Sequence, residues 1–282
     1  MDSQRIPQAE DRPAGRITRG KTAPNRLRRP DAFLASYDPG LLTRRDGEFA
    51  RAVVCDLGYG AEPTTTLEMA ERLRRVSPGL PVLGVEIDPE RVKRALPFAD
   101  ALTSFREGGF DLPVTPDETV RLVRAFNVLR QYEEEEATPA LDRLAAQVLP
   151  GGLVMDGTSD PYGRIWTASM LRRGEDAGWG LEALVLGTNF RDDLDPEAFQ
   201  TRLPKSFIHR MVPGDPVHAF VEDFKAAARD TRSSAVWGPR AWFTTAAGAL
   251  TARGYDVARP DVWPRRGWLV WRKPGVELRR RS

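Results

Sequence analysis

Cysteine is nearly missing from this 282-residue chain, in which Cys55 stands alone. An internal disulfide is therefore impossible, and a reducing cytoplasm is the expected compartment. Cys55 lies in an apolar run and is expected to pack as a small hydrophobe. Histidine is almost as scarce, with only His209 and His218. Two histidines and one cysteine give no metal-ligand spacing, so no metal site is expected. No apolar run approaches the roughly 20 residues of a membrane span, and the N-terminus carries no apolar signal core, so no membrane partner is expected. No internal repeat is present. The net charge is only +2, which does not make the whole molecule a nucleic-acid magnet. With 41% hydrophobic and 29% charged residues, the composition is globular. The length suits one large domain or a domain with appendages.

The charge is uneven. Residues 1–30 hold eight basic residues, Arg5 to Arg29, against Asp2, Glu10 and Asp11, with few apolar side chains. Such a segment cannot offset its ordering entropy by burial, and residues 1–30 read as a basic, partly disordered arm. Its stretch Thr18 to Arg29 suits either a solvated arm or a clamp over a phosphate-bearing substrate. Gly20-Lys21-Thr22 echoes the end of a P-loop, but the upstream glycine and the apolar strand before it are missing.

The most informative stretch runs from Ala52 to Asp88. Ala52-Val-Val-Cys55 is a short apolar run that meets Asp56-Leu-Gly58-Tyr59-Gly60, the pattern of a buried strand entering a tight turn. Thr65-x-x-Glu68 has the spacing of a capping box, and Met69, Leu73, Val76 and Leu80 mark a helix face. Ser77-Pro-Gly79 breaks that helix, and a second apolar run, Val82 to Glu86, ends in an acid. Strand, glycine turn, helix and strand with an acid at its tip form a nucleoside-cofactor site, since ligands sit outside the carboxyl ends of such strands. A dinucleotide fingerprint needs a third glycine where Pro63 stands, and the Asp56 and Glu62 carboxylates would repel a diphosphate while tolerating an ammonium or sulfonium. Those charges disfavour a nicotinamide cofactor.

The turn resembles motif I of the class I S-adenosylmethionine-dependent methyltransferases, Asp-x-Gly-x-Gly. The resemblance implies S-adenosyl-L-methionine as cofactor, with Asp56, Gly58, Tyr59 and Gly60 at its methionine part and Glu86 and Ile87 at its ribose and adenine. From Gly60 to Glu86 is 26 residues, somewhat more than the roughly 20 usual for such units. By the same resemblance the loop after the third strand, read at Ala101–Phe105, touches the adenine through Phe110 and Asp111. A fourth strand at Val120–Phe126, an acidic helix start at Glu133–Glu136, a helix from Pro139 and a fifth strand at Leu153–Asp156 extend the likeness over about residues 50–160.

Methyl transfer is largely a matter of aligning two partners, so a triad is not required. Acceptor-side groups are expected at the carboxyl ends of the fourth and fifth strands. They are Asn127, Arg130 and Tyr132 after the fourth, with Asn127 also near the cofactor, and Asp156, Thr158, Ser159 and Asp160 after the fifth. Arg130 equally suits a surface ion pair and Tyr132 a packed aromatic. His209 is a candidate general base or a structural histidine. The tryptophan-rich C-terminal half suits an acceptor pocket or plain core.

The expected fold is α/β, a doubly wound, seven-stranded, mostly parallel sheet of the class I methyltransferase type. Residues 31–282 form its domain, with an insertion at about 165–235 and a closing helix and strands at about 236–274. The expected function is methyl transfer to an unknown acceptor, a small molecule in preference to RNA or protein. The alternative is a non-catalytic relative that acts through its basic arm.

Overall fold

A computed structural model describes residues 14–17, 23–175 and 178–275. The arm expected at 1–30 falls largely on residues 1–13 and 18–22, outside the described residues. The rest is built on one eight-stranded sheet in the order β3-β2-β1-β4-β5-β6-β7-β8. Its first half is parallel. β1 (Ala52–Leu57) is buried along its whole length, as the apolar run requires when both faces of a parallel strand are covered. The helix α3 (Thr64–Arg74) leads to β2 (Val82–Glu86), α4 (Pro89–Ala95) to β3 (Thr103–Glu107), and the chain then crosses to β4 (Thr119–Phe126) beside β1. The order reverses between β1 and β4, which makes their carboxyl ends the switch point where ligands bind. α5 (Glu134–Gln147) connects β4 to β5 (Val148–Ser159), again in parallel.

The second half departs from expectation. β5 turns directly into β6 (Ile165–Arg173) and then β7 (Trp179–Thr188), each antiparallel to the one before. Residues 165–173 and 179–188, read as part of an insertion, are therefore sheet, and the described residues hold eight strands in it rather than seven. Both strands alternate or run apolar, but a short apolar run without a dividing helix gave no periodicity to tell a hairpin from a loop-rich block. After four helices, α6 (Pro196–Gln200), α7 (Lys205–Ile208), α8 (Pro216–Asp230) and α9 (Pro239–Ala252), β8 (Trp268–Arg272) closes the sheet antiparallel to β7. The closing strand expected at Tyr255–Val257 is only a bridge from Val257 to Trp271 on the outer side of β8.

Two leading helices, α1 (Arg28–Tyr37) and α2 (Pro39–Thr43), precede β1. α1 and α3 cover one face, where Phe33 packs against Trp166, Trp263 and Trp268. α5 covers the other face over the parallel half, and α8 and α9 cover it over the antiparallel half. Most of the tryptophans are thus core, whereas Trp237 is exposed. Cys55 is buried and free, and burial pushes its thiol well above the ordinary value.

Two local readings change. α3 starts at Thr64 with no side-chain cap, because Thr65 turns inward to Asp56 while Glu68 accepts from the Asn25 N–H and the Arg72 guanidinium. The helix read from Pro139 begins at Glu134, with a capping box between Glu133 and Glu136, and Pro139 lies inside it.

Two arginines on β4 are fully buried. Arg121 is the extra residue of a bulge, since Val53 pairs with Val120 and Val54 with Leu122. A bulge re-aims its side chain. Here the guanidinium meets the carbonyls of Ala52 at 2.9 Å, Leu41 at 2.9 Å, Leu42 at 3.1 Å and Arg44 at 3.0 Å, and that of Phe49. Burial without a carboxylate lowers Arg121 to about 10. It ties the chain that leads into β1 to the amino-terminal end of the sheet. Arg124 belongs to the site.

Candidate functional site

β1 runs into the turn Leu57-Gly58-Tyr59-Gly60, where the two glycines take φ of 71° and 91°, values that side chains with a Cβ rarely adopt. The turn folds over the tip of β2. There Glu86, 1% exposed, accepts the Gly60 N–H at 2.9 Å and the Ile87 N–H at 3.1 Å and lies 3.6 Å from Arg91. Burial raises the Glu86 carboxyl above its ordinary value, and the Gly60 N–H and Arg91 offset part of that. An ionised carboxylate has about four acceptor positions; the two backbone bonds take two, and the Asp88 N–H and Arg91 compete with a ligand hydroxyl for the rest.

A small cavity of about 20 Å³ opens at this point. Leu57, Gly58, Glu86 and Ile87 form one side, and Gly108, Gly109, Phe110, Val128 and Tyr132 the other. Five expected site residues meet there: Gly58, Glu86, Ile87, Phe110 and Tyr132. Phe110 and Tyr132 make an edge-on ring pair at 5.1 Å. The described part of the arm also lies in this cavity. Ala14 O accepts the Phe110 N–H at 2.9 Å, Gly15 lies against Ile87, and the Arg16 N–H donates to the Tyr132 hydroxyl. A Cβ on Gly109 would stand 1.9 Å from Ala14 O, so only glycine lets these two backbones meet. That contact had no sequence signal beyond the Gly108-Gly109 pair.

Asp56 is placed elsewhere. Its Oδ1 accepts from Arg124 Nε at 3.0 Å, and its Oδ2 accepts from Thr66 at 2.7 Å and Thr65 at 3.3 Å and lies 2.7 Å from a second Arg124 nitrogen. Arg124 also pairs with Asp31 of α1, which Arg72 of α3 reaches at 2.8 Å. Burial opposes charge on Arg124, but Asp31 and Asp56 more than restore it and hold the guanidinium above its ordinary value. With both oxygens committed under the turn, Asp56 is a strut that fixes the glycine turn to α1 and α3, not a group presented to the cavity. An arginine inside an apolar strand beside a buried aspartate is the signal that could have revealed this, since a buried charge needs a partner.

Tyr59 packs edge-on to Phe105 at 5.5 Å in a small cluster with Ala95. Asp111 is exposed and pairs with Arg143 at 3.3 Å. Neither Tyr59 nor Asp111 lines the cavity.

Asn127 has φ of 59°, a strained value for a residue with a side chain, although asparagine bears it better than most. Its Oδ1 accepts the Ser159 N–H at 3.1 Å and its Nδ2 donates to Ser159 Oγ at 3.4 Å, so it clasps the tips of β4 and β5 together. Arg130 donates to Leu203 O and Thr201 O, both at 2.9 Å, and so holds the loop between α6 and α7 against the β4 tip. His209, half-exposed at the end of α7, lies 3.9 Å from Glu134 at the start of α5 and does not line the cavity.

Asp160 accepts the Tyr162 and Ile165 N–H groups, both at 2.6 Å, and its carbonyl accepts Arg26 Nε at 3.0 Å. Asp156, four residues earlier, is buried on β5 with one oxygen lacking any hydrogen bond among the described residues. Burial alone raises it to about 7. Ser169 stands opposite it on β6, and its hydroxyl is equally without a partner there.

The architecture is α/β, with a central sheet parallel from β3 through β5 and helices on both faces. No protein-family model and no curated protein sequence matches the chain. Among solved structures it is similar to magnesium protoporphyrin IX methyltransferase from Synechocystis PCC 6803 with bound S-adenosylhomocysteine, at 18% identity and a TM-score of 0.35, over 48% of this chain and 56% of that one. It is similar to the CcbJ methyltransferase from Streptomyces caelestis, at 19% identity and a TM-score of 0.35, over 57% of this chain and 71% of that one. Human N-acetylserotonin methyltransferase in complex with S-adenosylmethionine matches at 21% identity and a TM-score of 0.31, over 47% and 37%. The chain thus spans about half of the first of these. At such TM-scores the likeness decides nothing about the chemistry, which rests on the residues of this chain.

Proposed function

We propose that this protein is an S-adenosylmethionine-dependent methyltransferase acting on a small-molecule acceptor. The observation that carries the reading is the buried Glu86, at the tip of β2, facing a cavity beside the glycine turn at the β1–β4 switch point. The chemistry of the lining residues fits the group once residues 14–16, which occupy the cavity, give way. Glu86 can accept ribose hydroxyls in the place of Arg91, 3.6 Å away, Ile87 and Phe110 offer apolar walls for a base, and Gly58 and Gly60 let the backbone come close. When bound, S-adenosylmethionine supplies an electrophilic methyl group on a sulfonium sulfur. Among the described residues no free carboxylate stands where Asp56 was expected to meet the amino group, so backbone carbonyls of the turn take that role. Asn127 fixes the β4 and β5 tips relative to one another, which holds the acceptor's side of the site in a set geometry.

The test is calorimetry with S-adenosylhomocysteine. Glu86→Ala is expected to weaken binding by about 1.5–3 kcal/mol, the range for a hydrogen bond to a charged group. Binding of NAD in place of both sulfur cofactors, or unchanged affinity in Glu86→Ala, removes the assignment. Binding without turnover on any acceptor pool returns the non-catalytic alternative.

A further inference from the structure

α1 and α9 pack on opposite faces of the sheet, yet their first turns meet over the rim where β7 ends and β8 begins. Both put arginine there, Arg28 and Arg29 on α1 and Arg240 on α9, at helix ends that already carry partial positive charge. The short turn Pro264–Arg266 adds Arg266. The side chains gather around Gly267 and its neighbours Phe190 and Trp268. Arg29 donates to Thr188 O at 3.3 Å, and its terminal nitrogen stands 3.0 Å from where a Gly267 Cβ would be, with the Phe190 ring at 3.1 Å from the same point. Arg240 lies 4.6 Å over Phe190. Arg29 and Arg266 lie 5.5 Å and 5.8 Å over the ring of Trp268.

Among the described residues, no carboxylate forms an ion pair with Arg29, Arg240 or Arg266, and Asp31, the acid in the first turn of α1, is spent on Arg124 and Arg72. The buried Arg29 Nε and the Trp268 indole N–H have no acceptor there either. Burial, then repulsion from Arg28, Arg240 and Arg266, lowers Arg29 to about 10. Phe190 sits at φ of 61°, an outlier for a bulky residue. Strain of that kind costs about 1–3 kcal/mol and gathers at functional sites.

We propose that Arg29, Arg240 and Arg266 bind an oxyanion, phosphate or carboxylate, carried by the methyl acceptor. The acceptor assignment rests on the methyltransferase reading, while the oxyanion site itself does not. Arg240 and Arg266 are exposed and supply the accessible donors, Arg240 with the nitrogens it does not give to Arg265 O, and Arg29 supplies the fixed charge behind them. Guanidinium donors in a fork suit either oxyanion. The β4 and β7 tips are three strand spacings apart, which sets the anionic group about 14 Å from the acceptor's reacting end. A compact cluster walled by Phe190 and Trp268 favours a small molecule over a nucleic acid, which needs a longer basic track.

The test uses the full chain at fixed ionic strength, titrated with phenyl phosphate and with benzoate to separate the two oxyanions. At least one is expected to bind saturably. Arg240→Gln and Arg266→Gln are expected each to weaken that binding about tenfold, the Arg51→Gln control at the opposite end of the sheet to leave it unchanged, and all three to keep the affinity for S-adenosylhomocysteine. No saturable binding of either probe overturns the site, as does an equal loss in Arg51→Gln. Binding of a 12-nucleotide RNA sensitive to Arg240→Gln, with no binding of phenyl phosphate, overturns the small-molecule assignment. Oxyanion binding without S-adenosylhomocysteine binding overturns the acceptor role through the methyltransferase reading, whereas the reverse overturns the arginine site alone.

Discussion

Replacing Asp156 by asparagine is expected to make the protein more stable at pH 8 and to leave it nearly unchanged or slightly weaker at pH 5. The carboxyl is fully buried on β5 and no cation is among the causes of its shift, so burial alone raises it to about 7 from an ordinary 3.8. A group whose folded-state value is raised binds its proton more tightly in the native state. Between about pH 4 and pH 7 the native protein therefore holds a proton that the unfolded chain has released. Stability falls with rising pH across that window, by about 1.4 kcal/mol per unit for one proton. Three units amount to about 4 kcal/mol at pH 7 and above. Asparagine cannot ionise, so Asp156→Asn removes this loss, but it buries an amide whose donors lack partners, at about 1–3 kcal/mol. The net gain at pH 8 is then about 1–3 kcal/mol, and at pH 5 the variant lies close to or below the wild type. Urea unfolding at pH 5, 6, 7 and 8 measures both proteins. A difference between them that does not change with pH would show that Asp156 is solvated or paired, and would refute the reasoning.

Arg124→Met is expected to cost about 3–5 kcal/mol, because it leaves Asp31 and Asp56 buried with too little positive charge. In urea unfolding, the triple change with Asp31→Asn and Asp56→Asn should recover much of that loss, and an equally unstable triple variant speaks against the ion network. Gly109→Ala drives a Cβ into Ala14 O, so residues 14–16 should lose amide-exchange protection while β1 and β4 keep theirs; unchanged protection at 14–16 contradicts the contact. Asn127→Ala should keep the affinity for S-adenosylhomocysteine and slow methyl transfer on the order of a hundredfold, as lost alignment does. Full turnover in that variant takes Asn127 out of the site.

The parallel half of the sheet was legible because its signals are local. Apolar runs ended by glycine turns or by Glu86, and helix faces at a period near 3.6, fixed β1, α3 and β2 to within about two residues. Asp88 and Asp215, each followed by proline, cap α4 and α8 as their side chains suggest. The antiparallel half was not, because a strand that follows a strand through a five-residue turn differs from a loop-rich insertion only in its partner. The cavity was legible through Gly58, Glu86, Ile87, Phe110 and Tyr132, which lie at strand tips. The side chains of Asp56 and Arg130 were not, since each is directed by a group far away in sequence, Arg124 for the first and the carbonyls of Thr201 and Leu203 for the second. The same holds for Arg29, Arg240 and Arg266, which only the folding of α1 and α9 over one rim brings together.

The bridge outside β8 bears on how the molecule behaves in a crowd of its own copies. A sheet's last strand exposes a row of free N–H and C=O groups, a template for another chain. On β8 that row is already taken: Ala258 donates to Val270 O and Arg272 donates to Asp256 O, both at 2.9 Å. The opposite edge, β3, is only five residues long and ends in Arg106, clamped by Glu118 at 2.5 Å, and Glu107. An incoming strand would have to peel away residues 256–258 at one side, or accept a short charged strand at the other. Growth of the mixed sheet from either edge is thereby disfavoured.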